Sequence, residues 1–444
     1  MSSATRLRKL GLLERFHSTR NYLGHDSCVV ASAQYTSQDG TTLSKDTLFP
    51  ALRMLIETHA PLGVKIQGDE ATADVYLVRL PTIDLSRIVV FSAKDSAHLQ
   101  EAYESHLSRG FQTQGELPLW RVEVLADNTV IFAVHHTIAD GLSSMAFHLH
   151  LFRALQKTDS VADASDIVHV PTDNAYLPPV DKATDVRPSF GTIFNAACSL
   201  LAPTSWTKLG SAWTGLPSPS IPDLTTHVRF LSFPAEQITA LTKAARNHKA
   251  TLTAALYVLL VSVASRLIAD SGVEGKQYKR IGACVALSMH GVAGVPNDVM
   301  CDYASIFRGY PRLASEFSWI EAARVAKILQ EQKRKGRETV GTLYLLFGNH
   351  IGYLKSHLSG KREGAFALSN LGRVEQPDVE GKWSMGRTAF AQCDVVTGCA
   401  FYVNVAGDPS GGINCTFTWG KSSVDVAFIE QLIKGAQESV AEII

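Results

Sequence analysis

The chain has 444 residues, 45% of them hydrophobic, which is enough for two domains of about 200 residues with separate cores. Its 42 basic and 42 acidic residues cancel, so no overall field attracts nucleic acid. The seven cysteines are scattered and form no CxxC pair, which indicates reduced thiols in an intracellular protein. We therefore expect a cytoplasmic protein with no nucleic-acid partner.

The first part of the chain predicts one helix and several strands. The opening apolar stretch stops at Glu14 and Arg15, so no signal peptide is predicted. Apolar residues then recur at helical spacing and predict an amphipathic helix at residues 44–59. Runs of β-branched and aromatic residues predict strands at 75–80, 122–125 and 129–134.

The next feature is the sequence HHTIADG at residues 135–141, between a predicted strand and a helix predicted at 142–155. An imidazole, a carboxylate four residues after His136 and a glycine at the turn are the components of a general base. Side chains alternate across a strand, so His135 and His136 point to opposite faces and one of them can face a given cavity.

Two simpler explanations of this stretch compete with a general base. The histidines can be a strand-end pair beside Asp140 at a helix start, with a purely structural role. They can also bind a metal, but no cysteine, glutamate or third histidine lies nearby at zinc-site spacing. We favour the general base and predict no metal site.

The middle of the chain predicts a linker at 171–225. Eight of the seventeen prolines fall between Pro171 and Pro222. Residues 188–207 carry no charge, which fits either a packed connector or an interfacial or lid helix.

The second half predicts a similar alternation of strands and helices. A strand at 228–233 and an amphipathic helix at 234–249 precede an apolar helix at 252–267. That helix is too short and too polar to cross a membrane and is expected in the core. Two α/β halves of similar order predict a pseudo-dimer with lobes at 1–170 and 226–444. Further strands are predicted at 282–287, 364–369, 399–405 and 413–418, and further helices at 318–337 and 424–444.

HHTIADG, preceded by PLWRVEV at residues 118–124, resembles the CoA-dependent acyltransferases that share an HHxxxDG motif. These include chloramphenicol acetyltransferase, plant BAHD acyltransferases, condensation domains of peptide synthetases and fungal alcohol acetyltransferases. The opening RKLGLLERFH at 8–17, the helix that runs into APLGVKI at 60–66, and LSNLG at 368–372 resemble the fungal group. The resemblance implies two chloramphenicol-acetyltransferase-like lobes with a central tunnel.

The resemblance also implies roles for the motif residues. His136 would take a proton from the acceptor hydroxyl. Asp140 would point away from the substrates and shape the loop, usually through an ion pair with an arginine. Gly141 would leave room for pantetheine or backbone. In this chain the corresponding neighbourhood contains His290 and no arginine, so the partner of Asp140 is not predicted.

Ser369 and Asn370 end a predicted strand in the second half. They could donate to the oxyanion of a tetrahedral intermediate, or Asn370 could simply cap a strand-end turn. The basic residues of the helix at 318–337 could contact the CoA phosphates or form a solvated helix end, so CoA-binding residues are not assigned; these are Lys327, Lys333, Arg334, Lys335 and Arg337.

We therefore expect an acyl-CoA-dependent O-acyltransferase that moves an acetyl group to a small alcohol or secondary metabolite. Acyl-CoA would be a co-substrate rather than a bound cofactor. The alternatives are an enzyme with a carrier-protein-bound donor and a non-catalytic member of the fold. The protein is expected to be a monomer whose last helix packs on its own core, because the acidic face of that helix has the wrong charge for anionic lipid. Peripheral lipid association stays open.

Overall fold

The computed structural model describes residues 5–26, 28–158, 165–203, 206–272 and 277–444. Its strands, numbered β1 to β18, are Thr5–Lys9, Val29–Ser37, Val64–Gly68, Val75–Arg79, Thr82–Asp84, Val89–Phe91, Trp120–Val124, Thr129–Val134, Ile167–His169, Ala212–Trp213, Thr226–Phe233, Arg280–Ile281, Ala283–Ser288, Ala304–Gly309, Gly364–Asn370, Trp383–Gln392, Cys399–Gly407 and Ile413–Gly420. Its helices, α1 to α11, are Leu12–Tyr22, Lys45–Thr58, Leu99–Leu107, Gly141–Leu155, Val180–Ala183, Phe190–Leu201, Ala235–Asn247, Leu252–Asp270, Trp319–Gly341, His350–Ser356 and Val426–Ile443.

The N-terminal lobe is built on a five-stranded sheet in the order β16-β2-β8-β7-β6. Its strand β8 is buried over its whole length, because α4 packs on one face of the sheet and α3 on the other. β2 pairs antiparallel with β8 from Val29 opposite Val134 to Gln34 opposite Thr129. The strand that precedes the HHTIADG stretch is therefore fixed at the centre of the lobe.

The C-terminal lobe is built on a six-stranded sheet in the order β11-β18-β17-β15-β13-β14. β15 runs parallel to both of its neighbours, and the outer pairs are antiparallel. Among the described helices, α8 has the length and apolar composition to cross a membrane, but 72% of its most apolar window is buried inside the protein. The helix ends three residues later than predicted and is long and apolar enough to span a membrane, so the expectation that it is too short and too polar is wrong, but its predicted place in the core is confirmed.

The last helix, α11, packs against α8 and buries Ile429, Leu432, Ala436 and Val440. The predicted packing of the C-terminal helix on its own core is confirmed.

One strand crosses from the second half of the chain into the first lobe. β16 pairs antiparallel with β2, from Trp383 opposite Ser37 to Gln392 opposite Val29. The division into lobes at 1–170 and 226–444, joined at 171–225, needs this correction: 383–392 completes the N-terminal sheet. The crossover covers an edge of β2 that would otherwise present unpaired backbone groups, and it ties the lobes together. The predicted α/β architecture of two lobes is confirmed.

Candidate active site

The HHTIADG stretch lies between the end of β8 and the start of α4. Asp140 is the N-cap of α4, and its Oδ1 accepts hydrogen bonds from the Ser143 backbone N–H and hydroxyl, both at 2.9 Å. Capping by aspartate satisfies an amide at the helix start and fixes the turn between strand and helix. The two histidines are therefore held on a short, rigid connection.

His135 points into the N-terminal lobe. Its Nδ1 accepts a hydrogen bond from the Thr137 backbone N–H at 3.0 Å, and Phe111 packs edge-on at 5.7 Å. Burial lowers the pKa of His135 to about 4. The imidazole is therefore neutral with its lone pair already engaged, which fits a structural residue rather than a base.

His136 faces the other way and keeps 16% of its side chain exposed. Its Nδ1 is buried and lies 3.4 Å from Oδ1 of Asp302, which leaves Nε2 as the nitrogen that a substrate can reach. Burial lowers the pKa of His136, but the Asp302 carboxylate outweighs that effect, and the net pKa is raised. The residue combines access with increased basicity.

His17, on α1, stacks flat against His136. The ring centroids are 3.9 Å apart and the planes differ by 2°. The inner face of α1 is polar, with Glu14, His17 and Ser18 all buried. Glu14 accepts a bidentate pair of hydrogen bonds from Arg8, each 2.7 Å, which fixes the start of this helix. A buried polar helix face beside the motif marks α1 as part of the site.

Asp302, between β13 and β14, is a buried carboxylate that faces the His136 and His17 rings but makes no hydrogen bond of good geometry to a described residue. Its Oδ2 lies 3.8 Å from Nε2 of His17, and its Oδ1 faces His136. Burial raises the pKa of Asp302 to about 7. A buried carboxylate without a strong hydrogen bond is costly unless a neighbouring N–H group or cation stabilises it.

His17, His136 and Asp302 present possible metal-ligand atoms within 4.8 Å of one another, so this cluster is a candidate metal site. The lone pairs of a histidine lie in its ring plane, and a metal must lie close to that plane. The rings of His17 and His136 are parallel and stacked, so no point lies in both planes. The donor set does not fit a metal ion.

Asp140 is paired with His290 of the second lobe. Nε2 of His290 lies 2.9 Å from Oδ2 of Asp140, and its Nδ1 donates to the carbonyl oxygen of Pro296 at 3.0 Å. The Asp140 backbone N–H also donates to the carbonyl oxygen of Cys301 at 3.0 Å, and the Tyr303 N–H donates to Oδ2 at 3.2 Å. The loop at residues 135–141, here called the motif loop, is therefore anchored to the lobe that carries Asp302.

Gly141 and Asn370 have structural explanations. A Cβ at Gly141 would lie 2.9 Å from side-chain carbons of both Leu371 and Phe390, so side chains fill the space expected for pantetheine or backbone. Asn370 donates to the Thr253 hydroxyl at 3.0 Å and accepts from the Gly372 N–H at 2.8 Å, which is a turn cap. Ser369 is buried at the end of β15. An oxyanion role for Ser369 or Asn370 stays a prediction.

The fold and the site together define an acyltransferase of the HHxxxDG type. The sequence profile of the alcohol acetyltransferase family matches residues 9–271 and 315–433. The chain belongs to the alcohol acetyltransferase family. It is 23% identical to a probable alcohol acetyltransferase, crmB, of Aspergillus fumigatus, over 96% of this chain and 97% of that protein. It is 24% identical to a probable alcohol acetyltransferase, FCK4, of Fusarium pseudograminearum, over 80% of this chain and 77% of that protein.

Solved structures share the fold at low identity. Trichothecene 15-O-acetyltransferase TRI3 of Fusarium sporotrichioides matches with a TM-score of 0.70 and 11% identity, over 98% of this chain and 95% of that one. The first condensation domain of the calcium-dependent antibiotic synthetase matches with a TM-score of 0.63 and 15% identity, over 100% and 96%.

Proposed function

We propose that the protein transfers an acetyl group from acetyl-CoA to a hydroxyl of a small alcohol or secondary metabolite, with His136 as general base. The observation that carries the proposal is the accessible edge of His136 beside a buried carboxylate, in a chain of the alcohol acetyltransferase family. His135 cannot take this role because its Nδ1 is occupied and its ring is buried.

One proton moves from the alcohol to His136 and then to the CoA thiolate. Nε2 of His136 takes the hydroxyl proton while the alcohol oxygen forms a bond to the thioester carbonyl carbon. The tetrahedral intermediate then collapses with cleavage of the carbon–sulfur bond, and Nε2 returns the proton to the departing thiolate. The products are an ester and free CoA thiol, and no acyl-enzyme is formed. Holding both substrates together supplies much of the rate.

A thiol-release assay tests the donor. Purified protein is incubated with acetyl-CoA and a panel of alcohols, and in parallel with the same acetyl group on a carrier-protein phosphopantetheine. We expect free acetyl-CoA to be consumed with formation of an ester. Turnover of the carrier-bound donor alone would replace this proposal with a condensation-like enzyme. No turnover of either donor over a broad panel would support a non-catalytic member of the fold.

We also propose a cytoplasmic location with peripheral attachment to anionic lipid through α6. On this helix the small residues Thr192, Ala196 and Ala197 are half-buried, whereas Phe190 is 83% and Phe194 58% exposed. An ordinary surface helix buries its large apolar side chains, so the order is inverted here. Leu201, Trp206 and Phe347 are further large apolar residues that are 84%, 82% and 92% exposed.

Charge around α6 supports a lipid partner. Ser189, which caps α6, donates from its backbone N–H and hydroxyl to Glu338 at 3.0 and 2.7 Å, so the helix start lies beside the end of α9. That end of α9 exposes Lys333, Arg334, Lys335 and Arg337. An uncharged aromatic face with a basic margin is the pattern of helices that lie in the interface of an anionic membrane.

A further inference from the structure

We propose that Asp302 and His17, which lie outside the HHTIADG stretch, are positioning residues that set the tautomer and the orientation of His136. The inference rests on the proposed role of His136 as base. It adds to that role a buried carboxylate on one ring nitrogen and a parallel imidazole on one ring face.

Asp302 selects the tautomer. A base that uses Nε2 must carry its own proton on Nδ1, and Nδ1 of His136 faces Oδ1 of Asp302 at 3.4 Å. A carboxylate accepts hydrogen bonds and favours the tautomer with hydrogen on Nδ1. The same negative charge stabilises the imidazolium that forms when Nε2 takes the substrate proton. Because no described residue donates a hydrogen bond of good geometry to Asp302, its charge acts mainly on the two rings it faces.

His17 fixes the plane of the ring. A parallel stack at 3.9 Å restricts rotation of His136 about its side-chain bonds, so Nε2 keeps one direction. His17 is itself buried between two carboxylates, with Nδ1 at 3.8 Å from Asp26 and Nε2 at 3.8 Å from Asp302. Burial lowers the pKa of His17, and the nearby charge of His136 lowers it further. His17 therefore stays neutral, and His136 carries the proton during the reaction.

Among the charged groups around His136, Asp302 has the strongest effect on its pKa. Asp26 is an ion-pair partner of Arg20 at 2.8 Å, and the two have opposite effects on the pKa of His136. Asp140 and Glu14 face Asp302 from the motif loop and from α1, and both raise its pKa. Each of them has its own partner, since His290 pairs with Asp140 and Arg8 with Glu14. His135, on the other side of β8, is neutral.

His136 and Asp302 consequently titrate as a coupled pair. In the active form Asp302 is ionised and His136 is neutral with hydrogen on Nδ1. Addition of one proton to the pair removes the base, because either Nε2 is protonated or the carboxylate is. The acid limb of the pH dependence of kcat/KM reports this proton.

The test is the pH dependence of kcat/KM for Asp302→Asn, with Asp298→Asn as the matched control. Asp298 belongs to the same loop but is half-exposed and pairs with Arg153. We expect Asp302→Asn to lower kcat at least about tenfold, as loss of an orienting carboxylate does. We also expect its acid limb to move down by about one pH unit or more, because the charge that raised the His136 pKa is gone.

Further variants distinguish a loss of His136 orientation from a loss of folding. Asp302→Glu retains a carboxylate, so its acid limb should lie between that of Asp302→Asn and that of the wild type. Asp298→Asn should match the wild type in both rate and profile. His17→Ala should lower kcat with little change in KM, and His17→Phe, which retains a flat ring, should recover most of the loss. Thermal unfolding confirms that each variant is folded.

Two results would overturn the inference without touching the proposed function. In the first, His136→Ala is inactive but a folded Asp302→Asn keeps the wild-type acid limb. In the second, kcat of His17→Phe is as low as that of His17→Ala, which would show that the nitrogen atoms of His17 are required and that a flat ring alone is not sufficient. An active His136→Ala would instead remove the proposed function itself.

Discussion

Nε2 of His290 lies 2.9 Å from Oδ2 of Asp140, and both nitrogens of that histidine face acceptors. Nδ1 must carry a hydrogen to reach the Pro296 carbonyl oxygen, and Nε2 must carry one to reach an ionised Asp140. His290 is therefore an imidazolium. It takes the place of the arginine that the family resemblance implies, and it joins the motif loop of the first lobe to the second lobe.

The first prediction concerns the pH dependence of stability. Burial lowers the pKa of His290, but hydrogen bonding to Asp140 outweighs it and the net pKa is raised above 6.5. Burial raises the pKa of Asp140, but His290 outweighs that, and the net pKa falls below 3.8. The His290 contribution is complete below pH 6.5 and is lost as pH rises through its raised pKa. The Asp140 contribution is lost as pH falls below 3.8.

Chemical denaturation of wild type and His290→Gln at several pH values checks this. We expect the variant to lose about 3 kcal/mol or more of unfolding free energy near pH 6, because a buried charge loses its partner. The difference should shrink towards pH 9. A difference that stays constant between pH 6 and pH 9 would show that His290 is neutral in the folded protein.

The second prediction concerns Gly141. A methyl group there would meet Leu371 and Phe390 at 2.9 Å, so Gly141→Ala should cost about 1–3 kcal/mol. Gly191→Ala is the control, since nothing lies within 4 Å of a Cβ at that position. Adding Phe390→Leu to Gly141→Ala should recover part of the loss in thermal unfolding. An unchanged Gly141→Ala melting temperature would mean that the motif glycine is not needed for packing.

The third prediction concerns α11. Leu432 is fully buried against the C-terminal core, so Leu432→Ala should cost about 2–5 kcal/mol. Lys434→Ala, on the exposed side of the helix, should stay within about 0.5 kcal/mol of wild type. Truncation after Ser423 should destabilise the protein in detergent-free buffer. A truncated protein of full stability would contradict core packing as the role of this helix.

The fourth prediction concerns lipid binding by α6. Flotation with phosphatidylcholine vesicles, with and without phosphatidylserine, should show binding to the anionic vesicles that weakens with added salt. The double variant Phe190→Ser/Phe194→Ser should lose it, whereas Ile320→Ser, which changes an exposed apolar residue at the far end of α9, should not. Equal flotation of wild type and double variant would rule out α6. A dimer in light scattering that the double variant abolishes would assign this face to a second copy instead.

Elements with strong local patterns could be predicted from the sequence. The β-branched run 129–134 forms β8 at those residues, and the helix predicted at 44–59 is observed as Lys45–Thr58. β2 and β16 were missed for physical reasons. β2 is buried on both faces and contains small and polar residues, so it shows no alternation. β16 contains a glycine and a register shift between Met385 and Thr388, which breaks the period of two.

The residues of the candidate active site also differ in whether the sequence could predict them. His136, Asp140 and the turn at Gly141 are close in the chain and could be recognised together. Asp302 and His17 reach His136 only through the contact of α1 with the motif loop and of one lobe with the other. The signals that could have indicated them are an isolated Asp302 next to a strand and a helix whose inner face is polar.

The decisive comparison is the rate of ester formation from acetyl-CoA, measured by mass spectrometry, for wild type, His136→Ala and His135→Ala. We expect the rate for His136→Ala to fall about 100-fold or more at an unchanged melting temperature, as it does when a general base is removed. His135→Ala should retain measurable activity. An active His136→Ala beside an inactive but folded His135→Ala would contradict the assignment of the base.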